Sequence, residues 1–255
     1  MARDAFLILA LFFISCATTP VTGTKKFILT STEEENAMGE KAYQDILKHE
    51  RVDSSSELAQ QVKVIGQRLA GAVERADFKW EFKVFENPQI NAFCLPGGKV
   101  GFYSGMAKVA NNPARIAAVL AHEIAHAIAR HGGQRLSAQL GQEVVLGILA
   151  VATLGELPKE KRQLALAALG LGTTVAIILP FSRSNESEAD EIGLVLMATA
   201  GFDPREAVVL WRRMDQISGS SGPSFLSTHP SNRQREERLI ELMPNAMRIY
   251  QKHSR

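Results

Sequence analysis

His122, Glu123 and His126 spell H-E-x-x-H inside Asn111 to Gly133, NNPARIAAVLAHEIAHAIARHGG. Helical positions four apart lie on one face, so the two imidazoles can converge on one ion with Glu123 beside them. Two neutral imidazoles take two corners of a zinc tetrahedron. A water at an open corner has its pKa lowered to about 7, and Glu123 can accept its proton, leaving a hydroxide aimed at a carbonyl. The plainer alternative is a pair of ordinary core histidines. Glu123 argues against it, because it is the only formally charged residue from Ile116 to Ala129. A lone carboxylate in so apolar a stretch is costly to bury without a partner.

The elements that must position these groups are marked in the chain. Asn112 can cap the first N–H groups of a helix, Pro113 suits its first position, and Gly132-Gly133 can end it after Arg130 and His131. Small and aliphatic residues cover nearly the whole circumference, as in a helix inside a core. Upstream, Ser31-Thr32 followed by Glu34-Glu35 is a capping-box start for a helix to about His49. Leu58, Val62, Ile65, Leu69 and Val73 then give Glu57 to Arg75 one apolar face. From Lys79 the period changes to two, with Trp80, Phe82 and Val84 alternating with Glu81, Lys83 and Phe85, which describes a strand. Ile90 to Tyr103 holds two short extended segments around Pro96-Gly97-Gly98. The expectation is an α+β fold, mostly helical, with a small antiparallel sheet beside the metal helix. A free sheet edge there could align an extended substrate, although an ordinary hairpin reads the same way.

Downstream, Ser184 to Ala200 reads as a second metal helix, with Glu186 and Asp190 on one face. The metzincin continuation is absent, since Ala129 and Gly132 stand where its glycine and third histidine belong, so a further ligand must come from elsewhere. Glu186, Glu188, Asp190 and Glu191 could equally be an acidic first turn favoured by the helix dipole. Between the two helices, residues 143–181 form a hydrophobic helical insertion; its second apolar run, Leu164 to Leu179, falls short of the ~18 residues a spanning helix needs. Buried helices are the expectation, with a membrane-contacting hairpin as the alternative. A helix from Asp203-Pro204, a Ser- and Gly-rich loop, His229-Pro230 and a last helix from Ser231 to about Met243 complete the domain over 31–243, leaving 244–255 as a tail. His49, His131 and His253 receive no metal role.

Composition bounds the function. The chain has 255 residues, is 45% hydrophobic and 22% charged, and carries a net charge of +2 with both signs interspersed, so a globular core is possible and nucleic acid is excluded as a partner. Arg3, the apolar run Phe6 to Ile14, then Ser15-Cys16 have the layout of an export signal over 1–16. The small residue before Cys16 is similar to a lipobox, which would make Cys16 the acylated first residue of an exported, membrane-anchored chain with 17–30 as its tether. Ala17 then points to the periplasmic face of an outer membrane if the cell is Gram-negative. Ordinary signal cleavage and a retained anchor are the alternatives. With only Cys16 and Cys94 present, no disulfide framework is expected.

N-A-F-x-x-P-G-G at Asn91 to Gly98, H-E-x-x-H at His122 to His126, E-x-x-A-D at Glu186 to Asp190 and H-P at His229-Pro230 together resemble the zinc metallopeptidase family of HtpX and the CAAX prenyl proteases. The likeness is greatest to its exported bacterial lipoprotein members. It implies a zincin-like gluzincin domain holding one zinc on His122, His126 and Glu186. It assigns Asp190 as acceptor of a ligand imidazole N–H, Glu123 as general base, and Asn91, Ala92, Phe93 and Cys94 as the strand that aligns substrate. His229 and Arg235 would lie near the metal and stabilise the oxyanion, or His229 would fill the open metal position at rest. A capping histidine and a solvated arginine are the plainer readings of that pair. The implied activity is an endopeptidase acting on misfolded or unassembled envelope proteins. The rivals are an envelope chaperone or assembly factor with a latent zinc site, and a zinc esterase or amidase.

Overall fold

The structure, a computed structural model, describes residues 16–19, 21–140, 181–217, 224–229 and 233–253. The leader over 1–15 and the insertion over 143–180 lie outside the described residues, as does Pro230.

The fold is built around one helix, α3, Pro113–Ile128. Asn112 Oδ1 accepts from the Arg115 N–H at 2.8 Å, and every residue from Ile116 to Ile128 is buried. A helix apolar all round belongs inside a core. Helices α1 (Thr32–His49) and α2 (Glu57–Ala70) precede it. Ser31 and Glu34 make both halves of a capping box on α1, and α2 turns Val62, Ile65 and Leu69 inward. After α3 come α4 (Arg183–Thr199), α5 (Arg205–Ile217), the short α6 (Ser224–Thr228) and α7 (Arg233–His253). Helix α4 packs on α3 and α7 packs on α4. Gly193 makes the first contact close, since a Cβ there would meet the His122 N at 3.4 Å.

Two sheets accompany the helices. Strands β1 (Cys16–Thr18) and β2 (Lys25–Phe27) form an antiparallel hairpin. Strands β3 (Val52–Asp53), β4 (Glu81–Phe85), β5 (Ala92–Leu95) and β6 (Lys99–Tyr103) form a sheet in the order β3-β4-β6-β5. The sheet is mixed rather than antiparallel throughout. β5 and β6 are the expected hairpin, closed by Gly97 and Gly98 at φ 82° and 85°, but β4 runs parallel to β6 with Glu81 opposite Lys99. Alternation identifies a strand and not its partner. The chain after β4 passes over to the far side of β6, held where Gly105 lies too close to the Pro88 carbonyl for any side chain, and so makes β5 the sheet edge beside α3.

Three further expectations are corrected. Residues 17–30 are not a free tether: Lys26 is 5% exposed and the Leu29 N–H donates to Ser137 Oγ at 2.7 Å. The glycine pair does not stop α3, which ends at Ile128; Arg130 takes the left-handed turn at φ 55°, and 131–140 is helical again. The Arg130 guanidinium holds that turn by binding Glu35 at 2.8 Å and the Thr30 carbonyl at 2.6 Å. Finally, α7 continues through Pro244 to His253, so 244–253 is helix and not tail.

Two glycines separate packing from propensity. A Cβ at Gly39 would sit 2.1 Å from the Pro96 carbonyl oxygen, whereas one at helical Gly132 meets nothing within 4 Å. Gly39→Ala is expected to destabilise the fold by about 1–3 kcal/mol through overpacking. Gly132→Ala is expected to stabilise it by about 0.4–1 kcal/mol. Urea unfolding of both variants checks the opposite signs.

Candidate metal centre

Four side chains from three places converge. Helix α3 supplies His122 and His126, α4 supplies Glu186, and His229 follows directly on α6; each is at most 4% exposed. His126 Nε2 lies 3.1 Å from His122 Nε2, and His122 Nε2 lies 3.3 Å from His229 Nδ1 and from Glu186 Oε2. Glu186 Oε1 lies 3.4 Å from His126 Nε2 and 3.1 Å from His229 Nδ1. Zinc bonds of about 2.0–2.1 Å place neighbouring tetrahedral ligand atoms roughly 3.3–3.4 Å apart. Three of the five separations fall on that figure and two are about 0.2 Å shorter, so the donor set fits zinc in chemistry and lies close to it in size.

The electrostatics point the same way. Burial alone would lower the His122 pKa, but the carboxylates of Asp190 and Glu186 outweigh it and hold it at about 9. Burial opposes charge on Glu186 too, yet His122, His126 and His229 pull its carboxyl well below the usual range. Burial drives His126 well below its ordinary value and keeps it neutral, as a ligand must be. The buried carboxylates of Glu186 and Asp190 draw a proton onto His122, and a metal cation bound there would take that proton's place.

Glu123 stands beside the cluster, 3.4 Å from His229 Nε2. Burial raises its pKa, with the nearby histidines only partly offsetting the effect. A carboxyl so tuned can accept a proton and give it back. Behind the ligands, Asp190 Oδ1 lies 3.1 Å from His122 Nδ1, which orients that ring with Nε2 toward the cluster. Arg235, read in the sequence as an oxyanion donor, is placed otherwise. Its Nε and Nη2 donate to Asp190 at 2.8 and 2.7 Å, its Nη1 lies 2.7 Å from Glu186 Oε2, and its guanidinium lies 3.8 Å over the Trp211 ring. It therefore positions two carboxylates, because a buried guanidinium beside two anions binds them first.

The strand residues fall at the sheet edge. The Asn91 carbonyl accepts from the Tyr103 N–H at 3.0 Å, Ala92 is buried, and Phe93 packs on Phe85 and Tyr103. Burial pushes the Cys94 thiol well above its normal value, which leaves it no part as a thiolate nucleophile. Cys16 heads β1.

Sequence reading passed over a second layer around His126. Its Nδ1 lies 2.9 Å from Nδ1 of His131, whose Nε2 lies 3.0 Å from Glu188 Oε2. Glu188 is in turn bound by Lys26, Thr19 and Thr22. The available signal was Glu188 itself, two places after Glu186 and buried on the opposite side of α4.

Comparison with known proteins agrees with this geometry. Residues 56–243 match Peptidase family M48. The mitochondrial metalloendopeptidase OMA1 of Schizosaccharomyces pombe is 35% identical over 240 residues, covering 92% of this chain and 68% of that protein. Human OMA1 is 28% identical over 268 residues, covering 98% of this chain and 50% of its own. The Beta-barrel assembly-enhancing protease of Escherichia coli is 30% identical over 223 residues, 86% of this chain and 46% of that one. The chain thus spans about two thirds of the first and about half of the other two. With the H-E-x-x-H helix, Glu186 and a zinc-sized donor set already in place, the chain belongs to peptidase family M48 and is a zinc metalloendopeptidase.

Proposed function

We propose that this enzyme hydrolyses misfolded or unassembled proteins at a cell envelope, anchored there through Cys16. The observation that carries the hydrolytic part is the convergence of His122, His126, Glu186 and His229 within 4.8 Å of one another with Glu123 alongside. Zinc, when bound, polarises the scissile carbonyl and lowers the pKa of water. His122, His126 and Glu186 would hold it, while Asp190 and Arg235 keep two of those side chains, His122 and Glu186, in orientation. Glu123 takes the proton of the attacking water on its carboxylate and passes it to the leaving amine nitrogen. The edge of β5, from Asn91 to Cys94, offers main-chain groups that align an extended polypeptide across the site. The export-like leader and the beta-barrel-assembly name of the bacterial relative support the location. No helix among the described residues is long and apolar enough to cross a membrane, and a lipid anchor does not require one.

One observation favours a resting, closed form. His229 Nδ1 lies among the donor atoms, where it would take the fourth corner of a bound zinc in place of an attacking water, and its ring stacks on Phe225 at 4.5 Å. The Phe225 N–H donates to the Ile90 carbonyl at 3.0 Å, just before the substrate strand. His229 in this reading leaves the corner when a polypeptide engages β5, and is then beside Glu123 for oxyanion contact.

Glu123→Gln is expected to retain zinc and lose about 10²–10⁴-fold in casein hydrolysis. Glu186→Ala should lose both, and an active Glu123→Gln enzyme would overturn the proposed base. His229→Ala is expected to raise the hydrolysis of a small fluorogenic peptide; a fall would leave His229 its oxyanion role without the closing one.

A further inference from the structure

The least expected buried charges in the molecule are Lys26 and Glu188, with side chains 4% and 7% exposed. Lys26 comes from the N-terminal hairpin and Glu188 from α4, two residues after the metal ligand Glu186. Successive helical positions rotate by about 100°, so Glu188 faces roughly 200° away from Glu186. It faces the hairpin and the 131–140 helix instead.

Both oxygens of Glu188 are engaged. Oε1 accepts from Thr19 Oγ1 at 2.7 Å and from Thr22 Oγ1, while Oε2 meets Lys26 Nζ and lies 3.0 Å from His131 Nε2. Lys26 Nζ also donates to Gln134 Oε1 and Asn185 Oδ1, each at 3.2 Å. An ionised carboxylate only accepts, so His131 Nε2 carries a proton toward it and His131 Nδ1 is left as an acceptor. That acceptor lies 2.9 Å from His126 Nδ1. His126 then carries its proton on Nδ1, and its Nε2 lone pair points at the ligand cluster, 3.1 Å from His122 Nε2.

The backbone is shaped for this contact. In an unbroken helix, His131 would sit about 140° around the axis from His126 and could not face it. The left-handed turn at Arg130, φ 55°, turns the chain so that it does. A non-glycine residue holds that conformation at some cost, here offset by the bonds from Arg130 to Glu35 and Thr30.

We propose that the N-terminal hairpin is a positioning strap for the metal ligand His126. Thr19, Thr22 and Lys26 fix Glu188, Glu188 fixes His131, and His131 sets the tautomer and ring plane of His126. Asp190 does the same for His122 within the zinc helices, whereas His126 depends on a segment more than a hundred residues upstream. Since β1 begins at Cys16, the strap starts at the residue proposed as the lipid anchor, and metal retention becomes sensitive to how the N-terminus is docked. This rests on the zinc-enzyme reading.

The test uses the full chain and two probes, zinc in competition with a chelator and cobalt(II) absorption. The variants are Glu188→Gln and the double variant Thr19→Val with Thr22→Val, which removes two hydroxyl donors and leaves every charge in place. Glu188→Gln is expected to weaken zinc binding about 10–100-fold. The threonine pair is expected to weaken it by less and, like Glu188→Gln, to shift the visible cobalt band. A merely structural role would lower the melting temperature of metal-free protein while leaving affinity and cobalt spectrum as in the wild type, and that result overturns the strap. If Glu188→Gln does not fold, the threonine pair decides alone. Wild-type chain that binds no zinc would instead overturn the function proposed above, so the two failures are distinguishable.

Discussion

Everything in this molecule answers to the burial of negative charge. Glu123, Glu186 and Asp190 are each at most 3% exposed and lie around one point between α3 and α4. Carboxylates removed from water require positive charge or donors close by. Arg235 supplies one positive charge from α7, and a zinc ion held by His122, His126 and Glu186 would supply the rest. The closeness of α3 and α4, made possible at Gly193, follows from the same need, because all the groups must reach one ion.

Around that point the chain is arranged in shells that come from distant parts of the sequence. The ligands come from α3, α4 and the end of α6. Their orienters come from α4, α7 and the 131–140 helix, and the outermost contacts come from the N-terminal hairpin. His229 donates its N–H to the Phe225 carbonyl, and the Phe225 N–H donates in turn to the carbonyl of Ile90, just before β5.

Much of this was readable before any coordinates. The caps at Ser31 and Asn112 work locally, and local chemistry is what a sequence displays most directly. His122, Glu123 and His126 were legible because residues four apart share one helix face and a lone carboxylate beside them needs a partner. Glu186 and Asp190 became legible only through the family likeness, since an acidic helical start has a plainer reading. The parallel pairing of β4 with β6 was hidden because alternation carries no direction. The second layer was hidden for a different reason: His131 faces His126 only because Arg130 breaks the helix, and arginine gives no sign that it will take a left-handed turn. Lys26 and Thr19 likewise look like solvated residues until Glu188 is seen beside them. Arg235, expected beside the metal as an oxyanion donor, has its guanidinium turned to Asp190 and Glu186.

The central claim is that this chain holds zinc on nitrogen and oxygen donors of α3, α4 and the α6 end. X-ray absorption at the zinc edge, with metal content measured on the same sample, addresses it most directly. The account predicts about one zinc per chain, a first shell of light atoms at about 2.0–2.1 Å, the outer scattering of imidazole rings and no sulfur. A chain without zinc, or a first shell containing sulfur at about 2.3 Å, would contradict it.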